Sequence, residues 1–297
     1  MDKTTWMILG LEIYVLLFVL AVVGLGIWRR KRRRERPPVE FKLLRGPGET
    51  LRRRINTLDE EFTLQAILTA IAPVLVASGI FFVFAKLLPK HPILDLGMGA
   101  LTLVFGVVLA GRRILKQLFL RRDCLLGYLG ERAVAEELQP LAMEGYRIFH
   151  DLPVKESDRT FNLDHVVVGS TGLFAIETKT RRKRPARQGF KDYEVAYDGK
   201  QLIWPWGEDI HGLEQADAEA RWLTNWIHKA TGLSVTARAI LALPGWFVVN
   251  RAYGPILVVN HKNLPSLIRG RGERMLSDDQ IDLIARQLDQ RCRDVED

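Results

Sequence analysis

Hydrophobic positions along this chain follow three different periods, and each period predicts a different kind of element. Three long apolar runs come first. Trp6–Trp28 carries one charge (Glu12), Phe62–Ala85 carries none, and Ile93–Gly111 has only Asp95 near its start. At 1.5 Å per helical residue, runs of this length reach across a bilayer core of about 30 Å. From Cys124 onward the runs shorten and change period. Leu125, Leu129, Val134, Leu138 and Leu141 recur at helical spacing, with Pro140 expected to end that helix. Tyr146–Leu152 reads as a strand and 155–160 as a polar loop, followed by two strands, Asn162–Gly169 and Gly172–Lys179. Both faces of that strand pair are largely apolar, which implies a sheet covered on both sides. Asp198-Gly199 marks a further hairpin turn. An amphipathic helix over Leu213–His228 carries the stripe Leu213, Ala216, Ala220, Leu223 and Ile227. Ala237–Leu243 and Ile256–Val259 read as buried strands, and Asp278–Arg293 as a closing helix capped by Ser277. The fold class is α/β, preceded by transmembrane helices.

Charge refines this outline. The net charge is +8, but residues 1–122 hold 20 Lys and Arg against 9 Asp and Glu, while the remainder is slightly acidic. Basicity therefore belongs to the part with the apolar runs, and the global charge is no evidence for a DNA-binding domain. Seven Lys and Arg follow the first run within Arg29–Arg36, and Arg52-Arg53-Arg54 forms a second cluster. Basic clusters flanking membrane spans stay in the cytoplasm and attract anionic lipid headgroups. These rules predict a multi-pass protein of an inner or plasma membrane, with its amino terminus outside and its C-terminal domain cytoplasmic. The expected parts are an anchor (1–28), a basic linker (29–61), a membrane hairpin (62–119), an α/β domain (123–270) and a C-terminal amphipathic helix (271–297). Cys124 and Cys292 are too few and too far apart for a disulfide framework or a zinc site.

The densest chemistry lies in NLDHVVVGSTGLFAIETK, residues 162–179. If Ser170-Thr171 is a two-residue loop, Gly169 faces Gly172 and Asp164 faces Glu177. Ser-Thr is not the favoured loop pair, so the turn type stays open. Directly opposed side chains share a face with Cβ atoms roughly 4.5–5.5 Å apart, and two carboxylates there repel. A divalent cation between them would relieve this, and Lys179 lies on the same face two residues beyond Glu177. His165 points to the other face and is expected to be a satisfied packing histidine.

The segments GYLGERAVAEEL, NLDHVVVGSTGLFAIETKT and GLEQADAEARWL together resemble the nuclease-related domain (NERD) family, itself similar to the PD-(D/E)xK nuclease superfamily. The resemblance covers residues 127–224 and extends to about Gly270. It implies a restriction-endonuclease-like αβββαβ core with a mixed sheet. It makes Asp164 and Glu177 the metal-binding acids, Lys179 the catalytic lysine, Glu131 the acid of the first helix and Gln215 the polar residue of the helix after the hairpin. The implied cofactor is Mg²⁺ or Mn²⁺, and the implied activity is phosphodiester hydrolysis of nucleic acid, DNA ahead of RNA. Arg181, Arg182, Lys183, Arg184 and Arg187 follow the lysine and are candidates for phosphate contact. The residues themselves leave some readings open. Glu131 also suits the macrodipole early in a helix, Gln215 a solvated helix start, and the basic run a solvated loop. Two features depart from the family: the basic run stands where glycines are more usual, and HGLE precedes Gln215 where Asn-Pro is frequent. The competing function is a non-catalytic, membrane-tethered adaptor that binds nucleic acid or protein, and a homo-oligomeric state is left open.

Overall fold

A computed structural model describes residues 13, 14, 17, 18, 20, 21, 24, 43–87, 92–156, 159–270 and 272–293. The expected first span, Trp6–Trp28, falls largely outside these residues, and the basic run Arg29–Arg36 wholly so. The chain divides into two compact units, one containing Arg54–Asp123 and the other Phe41–Arg53 with Cys124–Asp297.

Two long helices, α1 (Glu49–Leu87) and α2 (Pro92–Met143), lead the described chain. Gln65–Phe84, and an apolar window within Leu96–Met143, are long and apolar enough to cross a membrane. In the first unit the two helices approach closely where side chains are small. A Cβ on Gly106 would meet Pro73 at 2.7 Å, and one on Gly99 would meet Phe81 at 3.4 Å. Two boundaries differ from the sequence expectation. Helix α1 starts at Glu49, inside the expected linker, where Glu49 receives ion pairs from Arg52 (2.7 Å) and Arg53 (2.9 Å). Helix α2 joins the third apolar run to the amphipathic stretch that follows and passes Pro140 to reach Met143. Proline omits one backbone hydrogen bond there, but Leu138 and Leu141 on either side are fully buried and hold the last turn in place.

The second unit contains two sheets. The larger has the order β1 (Arg147–Glu156), β2 (Arg159–Gly169), β3 (Gly172–Thr178), β7 (Ala237–Ala242), β9 (Leu257–Val259). Strands β1 to β3 form an antiparallel meander, and β7 and β9 add in parallel, so the sheet is mixed. The β1–β2 hairpin runs into the expected polar loop and pairs Lys155 with Thr160. Those two side chains are exposed, so polar composition there reflects a solvated strand end. A second, four-stranded sheet was not legible in the sequence: β6 (Gly207–Asp209), β5 (Leu202–Trp204), β4 (Glu194–Tyr197), β8 (Phe247–Asn250). Its β4–β5 hairpin turns at Asp198-Gly199, where Gly199 has φ 91° and Asp198 Oδ1 accepts the Lys200 and Gln201 N–H groups.

Both faces of the large sheet are covered. On one, Val166, Val168, Leu173 and Ala175 pack with α3 (His211–Thr231) through Ala216, Ala220 and Leu223, and with α5 (Asp278–Arg291) through Ile284 and Leu288. On the other, Val167, Phe174 and Ile176 meet Val134, Leu138 and Leu141 of α2, and Leu264 and Ile268 of α4 (Leu264–Arg269). Ser277 caps α5 in a reciprocal capping box with Gln280. The amino-terminal strip of this unit is tied to its carboxyl end by the Leu44–Arg293 bridge and by the Arg45 N–H to the Cys292 carbonyl, 3.1 Å.

Candidate active site

The hairpin of β2 and β3 sets the site. Its register pairs Gly169 with Gly172 and His165 with Ile176, so Ser170-Thr171 is the two-residue loop. The only described non-glycine residue with positive φ is Asp151, which rules out the primed turns at Ser170-Thr171; Gly172 takes the unusual backbone instead, with φ 128°. The Tyr146 hydroxyl lies 3.0 Å from Thr171 Oγ1, which donates to the Ile268 carbonyl at 2.7 Å. The β2–β3 pairing ends at His165, and beyond it Asp164 Oδ2 accepts the Thr178 N–H at 2.8 Å. The carboxylate thus takes over the ladder position and is fixed beside Glu177.

Strand β3 then brings Lys179 to Glu177. The ammonium is 2.6 Å from Glu177 Oε1 and donates to Gln215 Oε1 at 2.7 Å. The Gln215 amide in turn donates to Glu219 Oε1 at 2.9 Å, one helical turn along α3. Glu177 and Glu219 are each only 2% exposed. A Cβ on Gly212 would sit 3.2 Å from Lys179 Cγ, so the start of α3 lies against the lysine stem with no room to spare. Helix α2 delivers Glu131, 7% exposed, immediately after Gly130, where a Cβ would meet Thr180 at 2.5 Å. All five residues expected to act, Glu131, Asp164, Glu177, Lys179 and Gln215, therefore converge. Glu219 joins them unexpectedly. Its sequence signal was its place four residues after Gln215, on the edge of the apolar stripe, where a buried acid needs a partner.

Electrostatics make this cluster unusual. Burial, and then the charges of Asp151 and Glu177, raise the Glu131 carboxyl to about 8. Burial, followed by Glu177, also holds Asp164 and Glu219 well above the usual carboxylate range. Burial alone would lower the Lys179 ammonium, but Glu177, Asp164 and Glu219 outweigh it and keep the group above its ordinary value. Four carboxyls face one lysine, and Glu177 Oε2 and Glu219 Oε2 are buried without a hydrogen-bond partner. An all-oxygen donor set with orphaned acceptors, whose carboxyls are crowded enough to favour holding protons, fits a hard divalent cation that would relieve their repulsion. Among the described residues no group of three or more His, Cys, Asp or Glu forms a ready cage. Mg²⁺ needs none, because it takes one or two carboxylates and keeps several waters.

A second network braces the site from behind. Asp151 has φ 51° and is buried, and its Oδ2 accepts from Arg45 Nη2 (2.6 Å), Thr50 N (2.8 Å) and Thr50 Oγ1 (2.8 Å). Asn162 Nδ2 donates to its other oxygen at 2.9 Å. The neighbouring Gly48 N–H donates to Glu131. His165 departs from the expectation of a satisfied histidine. Its Nδ1 lies 2.8 Å from His150 Nδ1, but its Nε2 is buried without a partner. Burial lowers both rings, His150 to about 4, so the pair is neutral at physiological pH.

The basic run after Lys179 packs against rings. Arg181 pairs with Asp209 at 2.7 Å and lies 5.1 Å over Trp204. Lys183 lies 5.8 Å over Trp246, Arg184 5.7 Å over Trp206 and Arg187 4.5 Å over Phe190, while Arg182 is half-buried. Residues 126–244 match the family model described as the nuclease-related domain, NERD. No curated protein and no solved structure matches the chain. The resemblance carried by the acids and lysine of the hairpin is thereby shown over residues 126–244, which are similar to the nuclease-related domain family.

Proposed function

We propose that this domain is a metal-dependent nuclease with a restriction-endonuclease-like core, tethered to the cytoplasmic face of an inner or plasma membrane by its apolar helices. One observation carries the reading. The Lys179 ammonium is clamped between the Glu177 carboxylate and the Gln215 amide, on the side of the hairpin where Asp164 is pinned by the Thr178 N–H. Asp164 and Glu177 would hold Mg²⁺ or Mn²⁺, which when bound supplies an activated water and stabilises charge on a scissile phosphate. Lys179 stays protonated beside that centre, orienting the water and offsetting charge as it builds on phosphorus. Gln215 fixes the lysine, and Glu219 fixes the orientation of Gln215. Glu131 adds a proton-bearing carboxyl at the rim. The substrate class is nucleic acid, DNA ahead of RNA, approached through the basic run after Lys179; Arg29–Arg36 and Arg52–Arg54 would meet anionic headgroups.

The test uses the full chain in detergent with end-labelled DNA and RNA and Mg²⁺ or Mn²⁺. Cleavage is expected to vanish with EDTA and to fall at least about a hundredfold in Asp164→Asn and Lys179→Met. Calorimetry with Mn²⁺ should show binding that Asp164→Asn weakens. Full activity in both variants would refute the assignment. An intact fold with no Mn²⁺ binding would favour a non-catalytic adaptor.

A further inference from the structure

Five cations from Arg181 to Lys191 each lie over an aromatic ring, and the pairs divide into an inner and an outer set. In the inner set Arg181 and Lys183 lie over Trp204 and Trp246, indoles that are each 1% exposed and cross at 83°. Trp246 Nε1 also donates to the Arg181 carbonyl at 3.1 Å. These contacts explain how an irregular segment with few backbone hydrogen bonds is fastened to the core. The outer set is more open, although Arg187 still ties its backbone N–H to the Pro205 carbonyl (2.9 Å) and its Nη2 to the Trp204 carbonyl (3.4 Å). Arg184 lies 5.7 Å over Trp206, Arg187 4.5 Å over Phe190 and Lys191 5.9 Å over Tyr193. Phe190 and Tyr193 are 41% and 45% exposed, and Trp206 is partly so while stacked on Trp204 at 14°. Burial cannot account for rings left this open. Single exposed apolar residues are ordinary, but here three rings each carry a cation, in a row whose first cation, Arg184, stands five residues beyond Lys179.

A ring face beside a guanidinium or ammonium is the chemistry that takes a nucleobase and its phosphate together: the π-face stacks the base and the cation neutralises the backbone. A paired duplex keeps its bases stacked on one another and cannot offer them to rings. We propose that Trp206, Phe190 and Tyr193, with Arg184, Arg187 and Lys191, form a track that binds an unpaired nucleic-acid strand and leads it to Lys179. The domain therefore acts on single-stranded segments, or on single-stranded tails of longer substrates. In taking the bound strand as substrate the proposal rests on the nuclease reading above; strand binding by the track does not depend on it.

Fluorescence anisotropy of the full chain in detergent, with EDTA present to prevent cleavage, separates the possibilities. The probes are a labelled single-stranded oligothymidylate, a duplex of the same length, and an abasic strand with the same phosphates. The single strand should bind more tightly than the duplex. Phe190→Ala and Tyr193→Ala should each weaken oligothymidylate binding by roughly fivefold or more while leaving the abasic strand unaffected. Arg184→Gln with Arg187→Gln should weaken all three probes. Equal single-strand binding by wild type and the two alanine variants would overturn the proposal. So would alanine variants that bind nucleic acid normally yet lose affinity for phosphatidylserine vesicles, since the track would then be a membrane contact. If wild type binds as described but never cleaves with Mn²⁺, the nuclease reading fails and the track stands. If wild type cleaves but the ring variants change neither binding nor rate, the track fails and the nuclease reading stands.

Discussion

Replacing Glu131 with glutamine should stabilise the metal-free protein, and by an amount that grows with pH. The carboxyl is 7% exposed, and burial, Asp151 and Glu177 together lift it from 4.5 to about 8. Between those two values the folded protein keeps a proton that the unfolded chain releases, so stability falls as pH rises through that window and levels off above about 8. Relative to a neutral isostere, the wild-type residue costs under about 1 kcal/mol at pH 5 and about 3 kcal/mol at pH 7. Glutamine keeps an oxygen to accept the Gly48 N–H, so the fold has no separate reason to change. For a domain of this size about 2–4 °C of melting temperature accompanies each kcal/mol. Glu131→Gln should therefore melt roughly 6–12 °C above wild type at pH 7, and within about 3 °C of it at pH 5. Five of the seven tryptophans, Trp204, Trp206, Trp222, Trp226 and Trp246, lie in the α/β domain, so fluorescence melting of the full chain in detergent with EDTA reads the relevant transition. Identical melting at pH 7, or an offset that does not grow from pH 5 to pH 7, would show that the fold does not hold a proton on Glu131.

Two further outcomes follow from packing and positioning. Gly169→Ala places a Cβ 2.1 Å from the Tyr146 ring, and that ring is 5% exposed with its hydroxyl held by Thr171. A loss of about 1–3 kcal/mol is expected in denaturant melts, and an unchanged midpoint would mean the hairpin turn is looser than drawn. Glu219→Ala frees the Gln215 amide and, through it, Lys179; cleavage should fall about tenfold in kcat at constant KM, with Glu219→Gln largely restoring it. A rate equal to wild type in the alanine variant would remove Glu219 from the positioning chain.

The hairpin was legible because it depends on two local quantities, the two-residue period of a strand and the length of one loop. Those alone predict Asp164 and Glu177 on one face with Lys179; the register has the expected loop and runs from Gly169–Gly172 to His165–Ile176, one pair short of the two acids. The amphipathic stripe of α3 and the Ser277 cap were readable for the same reason, since each is a pattern within one helix. What escaped depends on residues far apart in the chain. Asp151 reads as one more strand residue until Arg45 and Thr50, about a hundred positions earlier, reach it. Strand β8 pairs with β4 across more than fifty residues, and without that pairing the sequence shows only the Asp198-Gly199 hairpin of the second sheet and nothing of its indole cluster. The basic run read as a charge patch, and the fold set each of four of its five cations over an aromatic ring, three indoles and Phe190. Sequence by itself determined which acids and which lysine could share a face. Only the tertiary structure decided how many carboxyls surround that lysine, because burial and mutual repulsion are properties of the assembled site rather than of any one strand.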